Sequence, residues 1–379
     1  MQRLHYMDNL RALAMLAGVL FHAGLAYSTV LHNYWPTADA SNSVWVDGAV
    51  WFSHLFRMPL FFVVAGFFAA LMVSKRGVAG MLRNRLSRVL LPFIIFWPLL
   101  YLAMYWLTMQ AVTHVNRPSP LLTLIKQWSL NTNAPAAPPS MMHLWFLVYL
   151  MCFCVLVWVV NALEMPWIGL LRQRISSISS TVLLAFLLGI APILLVPAIA
   201  SVAAPIPAPE SFLPQWWALL IYGFYFVLGY ELFRREALID HLKPLATWLL
   251  VASIIAYALY LYIMKIQSAA PQNSLLHWLQ AVLQAYAGMW MTCWCLYVGK
   301  QWLDYSNRTL RYVADASYWV YLIHLPVLFV IQYALLDVSA GWPVKFVISV
   351  LATLSIAFAS YQILVRHTPV GRLLNGQRR

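Results

Sequence analysis

Charge is what this chain has least of. Lys, Arg, Asp and Glu make up 9% of its 379 residues while apolar residues make up 63%, against a charged share of about 25% in soluble domains. That excludes an ordinary water-soluble domain and leaves a membrane protein. Acidic residues are the scarcer sign, 11 against 24 basic ones, for a formal net charge of +13. No Asp or Glu falls deep in any apolar run, so the carboxylate relay of a proton-coupled transporter is missing. Cysteine is scarce too: four residues, as the pairs Cys152/Cys154 and Cys293/Cys295. Residues two apart on a helix diverge by about 200°, so neither pair clamps one metal ion, and thiols buried in lipid meet no oxidant readily. No metal site is expected. Internal repeats, a second domain and a cleavable signal peptide are also missing; the first apolar run, about 22 residues without a small-residue cleavage site, reads as a retained helix.

What the chain has instead is apolar runs of about twenty residues, the length a helix needs to cross a bilayer of about 30 Å. They lack the alternation of barrel strands, so they read as helices. Ten are predicted: 10–31, 51–73, 89–109, 142–161, 180–200, 215–233, 245–265, 276–299, 317–336 and 344–365. The fold class is therefore an all-α polytopic membrane protein with ten transmembrane helices, one domain over 1–379. Basic residues sort by connector. Arg3, the 74–88 connector (Lys75, Arg76, Arg83, Arg85, Arg88), Arg172, Arg174, Arg234, Arg235, Lys243, Lys300, Arg308, Arg311 and the tail (Arg366, Arg372, Arg378, Arg379) fall on one side. Only Arg117, Lys126, Lys265 and Lys345 fall on the other. The positive-inside rule then puts both termini in the cytoplasm. The net charge reads as topology; scattered over short loops, it makes no nucleic-acid-binding domain. The run NTNAPAAPPS, 131–140, reads as an extended outer loop.

Against this apolar background the ionisable residues inside the spans stand out. Arg11 and His22 are eleven residues apart, about 1100° or three turns plus 20°, so they share one face of the first span about 16 Å apart. Asp8, Met15 and Gly18 lie on or near that stripe, with Asp8 placed to pair with Arg11. The second span carries Arg57 roughly 9 Å below the outer surface. The ninth carries Ser317, Tyr321 and His324 on one face, with His324 roughly 10 Å above the inner surface. His143 and Trp145 open the fourth at its outer boundary. Two accounts fit. In one, Arg11 snorkels to the surface, Asp8 neutralises it, Arg57 ties to His54 or loop carbonyls, and the histidines brace helices. In the other, these groups line a polar site whose buried base is histidine.

The Arg-X10-His stripe, FRMPLFFVVAGFF, RLSRVLLP, HLWFL and SYWVYLIHLP, in that order, resemble the membrane-bound acyltransferase-3 family over most of the chain, within it most closely the succinyltransferases of osmoregulated periplasmic glucans. The resemblance implies an acyl-coenzyme A donor, succinyl-CoA above all, in the cytoplasm, a sugar hydroxyl of a periplasmic glucan as acceptor, and a place in a bacterial inner membrane. No permanently bound cofactor is implied, and a homo-oligomer is compatible with it. The second motif reads Ala65-Gly66 where many relatives have Ser-Gly, so no nucleophile is assigned there.

Such chemistry fits the residues. Arg85 and Arg88, three apart on one face, offer guanidinium forks to the donor's phosphates, with Arg83, Lys75 and Arg76 close by and Arg11 at the mouth; as bare sequence, the same arginines also read as positive-inside charge. His22 is the expected general base towards the sugar hydroxyl. Arg57, Tyr321 and Ser317 are candidates for the oxyanion, and Arg57 also for the carboxylate of a succinyl group. His324 is expected to orient His22, bind the donor or brace its helix. His143 and Trp145 are expected on the acceptor side, while most other outer tryptophans read as interfacial belt. Kept open are O-acetyl transfer to another surface polysaccharide, transport of an acyl donor or lipid-linked sugar, and a non-catalytic receptor or scaffold. A transporter is expected to show two related halves, and none are visible.

Overall fold

The computed structural model describes residues 5–131, 138–163, 169, 173–174, 177–269 and 274–375. Arg3, Arg172, Arg378, Arg379 and 132–137 of the Pro-rich run lie outside the described residues. Among the described residues all regular structure is helical: α1 His5–Leu25, α2 Val44–Arg85, α3 Leu91–His114, α4 Pro120–Leu130, α5 Trp145–Ala162, α6 Ser180–Ala200, α7 Trp216–Leu232, α8 Ala246–Ala269, α9 Ser274–Trp302, α10 Arg308–Leu336, α11 Trp342–Ser360 and α12 Pro369–Asn375. Six apolar runs are long enough, by length and composition, to cross a membrane. One of them, Val44–His114, has 71 residues, which at 1.5 Å per residue is about three and a half bilayer cores and excludes a single straight crossing. It breaks at Gly77, whose φ of 70° and ψ of 173° is the one non-helical conformation inside α2. A side chain there is strained, and glycine is not.

Several boundaries differ from the sequence reading: α2 runs Val44–Arg85 where 51–73 was expected, so the 74–88 connector is itself helical apart from Gly77. The first helix stops at Leu25 and not at 31, because Tyr27 turns back onto the Gly24 carbonyl and the hydroxyls of Ser28 and Thr29 are taken by Asp47 at the start of α2. The helix with His324 begins at Arg308, nine residues before 317, because the Asn307 side chain accepts from the backbone N–H of Thr309 and Leu310 and caps the helix there. Amphipathic α4, capped by Ser119 and opened by Pro120, was not expected.

Helix α2 is the spine. It packs along α7 with backbones in contact: a Cβ on Gly66 would fall 2.0 Å from the Phe226 carbonyl oxygen, and one on Gly229 1.8 Å from that of Val63. The glycine of FFVVAGFF therefore works in packing, the use membrane helices make of small residues. At one end 26–43 fold over the bundle. Lys345 and Asp39 form an ion pair, both buried, and Thr37 donates to Gln332, which donates to the Ala23 carbonyl. Asp337, just past α10, accepts from the backbone N–H of Asn116 and of Arg117. Those bonds, the one from Asn116 foremost, hold its carboxyl below the ordinary range.

Candidate active site

Two helices bring their histidines together. His324 Nδ1 lies 2.7 Å from the Tyr321 carbonyl, one turn back on α10, and its Nε2 lies 3.0 Å from His22 Nδ1. A carbonyl only accepts, so Nδ1 of His324 carries the proton and, in the neutral ring, Nε2 accepts. His22 then donates through Nδ1, which leaves its Nε2 lone pair free to take a proton. The tautomer of the expected base is thus set by a backbone carbonyl two links away.

His143 is fixed in a similar way. Its Nε2 donates to the Leu322 carbonyl at 3.1 Å, an oxygen that Pro326 has released: proline has no N–H, so the carbonyl four residues before it loses its helical partner. Tyr321 returns the contact by donating to the His143 carbonyl at 2.7 Å, and the His143 and His324 rings meet edge to face at 5.1 Å.

Arg57 completes the cluster. It is 5% exposed, its Nε has no partner, and among the described residues no carboxylate pairs with it. Its guanidinium lies 4.4 Å from the centre of the Phe21 ring. A cation in the membrane interior costs about 2.5–3.5 kcal/mol by insertion scales, and a desolvated cation–π contact returns about 2. Phe21 alone does not balance it. Gly18 makes room for it, since a Cβ there would fall 2.8 Å from Arg57 Nη1. One turn before Arg57, His54 donates from Nε2 to the Ile206 carbonyl at 2.9 Å and stacks on Phe21. The Nδ1 atoms of both His54 and His143 are buried without a partner. His22, His54, Arg57, His143, Trp145, Tyr321 and His324 line one cavity of about 70 Å³.

A second cavity, about 360 Å³, abuts the first: Met15, Phe61, Phe146 and Tyr321 line both. Its other walls include Arg11, Asn84, Arg85, Arg88, Ser317 and Tyr318. Arg11 is paired with Asp8 at 3.4 Å, and Arg88 donates to the Asn375 carbonyl at 3.4 Å. Arg85 Nε and the Tyr318 hydroxyl are buried without partners. Arg88 sits in a π-helical turn, Leu86–Leu90, at the head of α3, a distortion frequent at functional sites.

Of the residues singled out in the sequence, one cavity gathers His22, Arg57, His143, Trp145 and His324, the other Arg11, Arg85, Arg88 and Ser317, and Tyr321 serves both. Arg83 is exposed and lines neither. His324 is level with His22 and not well below it, because α10 starts nine residues earlier than the depth was counted from. His143 and Trp145 open α5, as expected, and are buried there against the cluster. His54, expected only as a structural tie for Arg57, lines the same cavity, as its spacing of three before Arg57 on one helix face allows. Trp35, read as belt, lies with its ring 6.5 Å from His22 and nearly parallel to it. No local pattern announces that contact, which depends on how 26–43 folds back.

The profile of a family described as "Acyltransferase domain" matches residues 4–362. Over 386 aligned positions, covering 99% of this chain and 95% of theirs, it is 28% identical to proteins named glucans biosynthesis protein C from Escherichia coli K12, O157:H7 and O6:K15:H31. No solved structure matches it significantly.

Proposed function

The chain belongs to the acyltransferase-3 family, and from that premise we propose that this multi-pass membrane acyltransferase moves a succinyl group from cytoplasmic succinyl-CoA to a sugar hydroxyl of a periplasmic glucan. Ten helices cross the inner membrane with both ends cytoplasmic in this reading. The observation that carries it is the pair of abutting cavities. One has an arginine mouth suited to the phosphates of coenzyme A, and the other holds an imidazole with a free lone pair beside an unpaired arginine. Relatives named for glucan biosynthesis support the acceptor class.

Arg11, Arg85 and Arg88 hold the phosphates, and the pantetheine arm runs past Phe61, Phe146 and Tyr321 to bring the thioester to His22. The sugar hydroxyl oxygen attacks the thioester carbonyl while His22 Nε2 takes its proton. Arg57 pairs with the succinyl carboxylate. Collapse of the tetrahedral intermediate breaks the C–S bond, and the departing thiolate recovers the proton from His22. His324 acts as a positioning residue, holding His22 in the tautomer that needs no rearrangement before it acts.

The test is purified protein with succinyl- or acetyl-CoA and a glucan, followed by mass analysis of the glycan. Succinyl transfer by the wild type and its loss in a folded His22→Ala protein is the expected result. A His22→Ala protein that acylates at the wild-type rate would overturn the base assignment.

A further inference from the structure

A third cavity lies apart from the two already described. It is an open groove of about 970 Å³, at the upper end of the range for small-molecule sites. Its walls come from Thr29 and Val30 after α1, the first turn of α2, the segment 200–204 after α6, the end of α8 and the start of α9. It shares two elements with the histidine cavity. Asp47 in the groove and His54 in the cavity are seven residues apart on α2, about 10 Å along its axis. The chain that forms the groove at 200–204 goes on to line the cavity with Ala208.

The side chains say what the groove would take. Gln280 is 2% exposed and lines it, yet among the described residues its amide has no hydrogen-bond partner. An amide carries two donors and two acceptors, which Gln280 brings to the groove wall. One turn earlier on the same face of α9, His277 donates from Nε2 to the Ala200 carbonyl at 2.7 Å, which keeps Nδ1 as an acceptor. Tyr262, 64% exposed, lines the groove. Asp47 is not on offer, since Ser28, Thr29 and Trp51 all donate to it. An amide, an imidazole acceptor and an open aromatic face suit a neutral, hydroxyl-rich ring with an apolar side. Lys265 also lines the groove and offers a single ammonium, without the arginine fork that holds a lipid phosphate bidentately.

We propose that the groove is a glycan-binding subsite that holds sugar units of the acceptor beyond the one being acylated. The proposal rests on the polysaccharide acceptor of the preceding section. A 70 Å³ cavity admits only the reacting group, so a polymer needs a second hold, and the groove supplies it on the same helix.

The test uses the full chain in nanodiscs of neutral lipid, with calorimetric binding of a long linear gluco-oligosaccharide and of a disaccharide. The wild type is expected to bind the long probe at least about tenfold more tightly, equivalent to 1.4 kcal/mol. Gln280→Leu is expected to erase that advantage while disaccharide binding stays as it was, and Tyr262→Ala, on the surface, does the same with less risk to folding. No length advantage in the wild type, or an undiminished one in both variants, overturns the proposal. So does displacement of the long probe by phosphatidylglycerol with no change in either variant, which would make the groove a lipid site. A Gln280-dependent length advantage without any acyl transfer would sink the enzymatic reading and leave the groove standing.

Discussion

The two cavities that meet at Tyr321 are built on opposite terms. The inner one, on the cytoplasmic side of the proposed topology, is wide and basic, and two of its arginines have ordinary company: Asp8 beside Arg11, a helix-end carbonyl on Arg88. The outer one has about a fifth of the volume and holds four histidines and one arginine with no carboxylate among them. Strength of attraction governs the first and orientation the second. A wide pocket with several forks tolerates slack, because a polyanion can shift among them. A small cavity in which three rings are aimed by named carbonyls and the fourth, His22, by His324 tolerates little.

That contrast is broken most severely at His22. His22→Ala is expected to lower kcat by about 10² to 10⁴, the usual weight of a positioned base, with donor KM unmoved. Steady-state kinetics with varied donor checks both numbers. Arg57→Gln comes next. A hydrogen bond to a charged group is worth about 1.5–3 kcal/mol, or about 10- to 100-fold, and here the loss should fall on succinyl-CoA while acetyl-CoA is nearly untouched. If kcat/KM drops equally for both donors, Arg57 serves the oxyanion and not the donor's carboxylate. In the inner cavity the pattern should invert. Arg85→Ala combined with Arg88→Ala is expected to raise donor KM about 10- to 100-fold on the same energy scale and leave kcat near the wild-type value at saturating donor. Unchanged coenzyme A affinity would return both arginines to a purely topological role.

Much of this was legible before any coordinates. Helical arithmetic alone put Arg11 and His22 on one face at two levels, and Ser317, Tyr321 and His324 on another, because those relations are local to one helix. Relations between helices were not legible in the same way. The level of His324 follows from where α10 begins, and that is set by Asn307, an ordinary residue in sequence that becomes a cap only in its extended conformation, φ −130° and ψ 134°. The depth counted for His324 was short for this reason. His54 was within reach of the same arithmetic, since three residues separate it from Arg57, but that spacing read as a tie for Arg57 and gave no sign that His54 also lines the cavity. Gly66 shows the reverse case. Set in a motif where relatives carry a polar neighbour, it invites a chemical role, and its work is to let the α2 backbone touch α7.

The smallest expected effect is the most informative about how orientation is kept. Proline costs a helix interior about 3 kcal/mol relative to alanine, so Pro326→Ala should hold or raise the thermal midpoint. An alanine at 326 also brings an N–H that bonds the Leu322 carbonyl, the oxygen that now receives His143. His143 then loses the contact that fixes its tautomer beside His324, and a net hydrogen bond of about 1 kcal/mol corresponds to about fivefold in rate. A folded, equally or more stable protein with kcat about fivefold lower would show that the proline serves the histidines and not the helix. A lower midpoint together with unchanged kcat per folded molecule would show the reverse, and the contrast between a loosely held inner cavity and an aimed outer one would lose one of its supports.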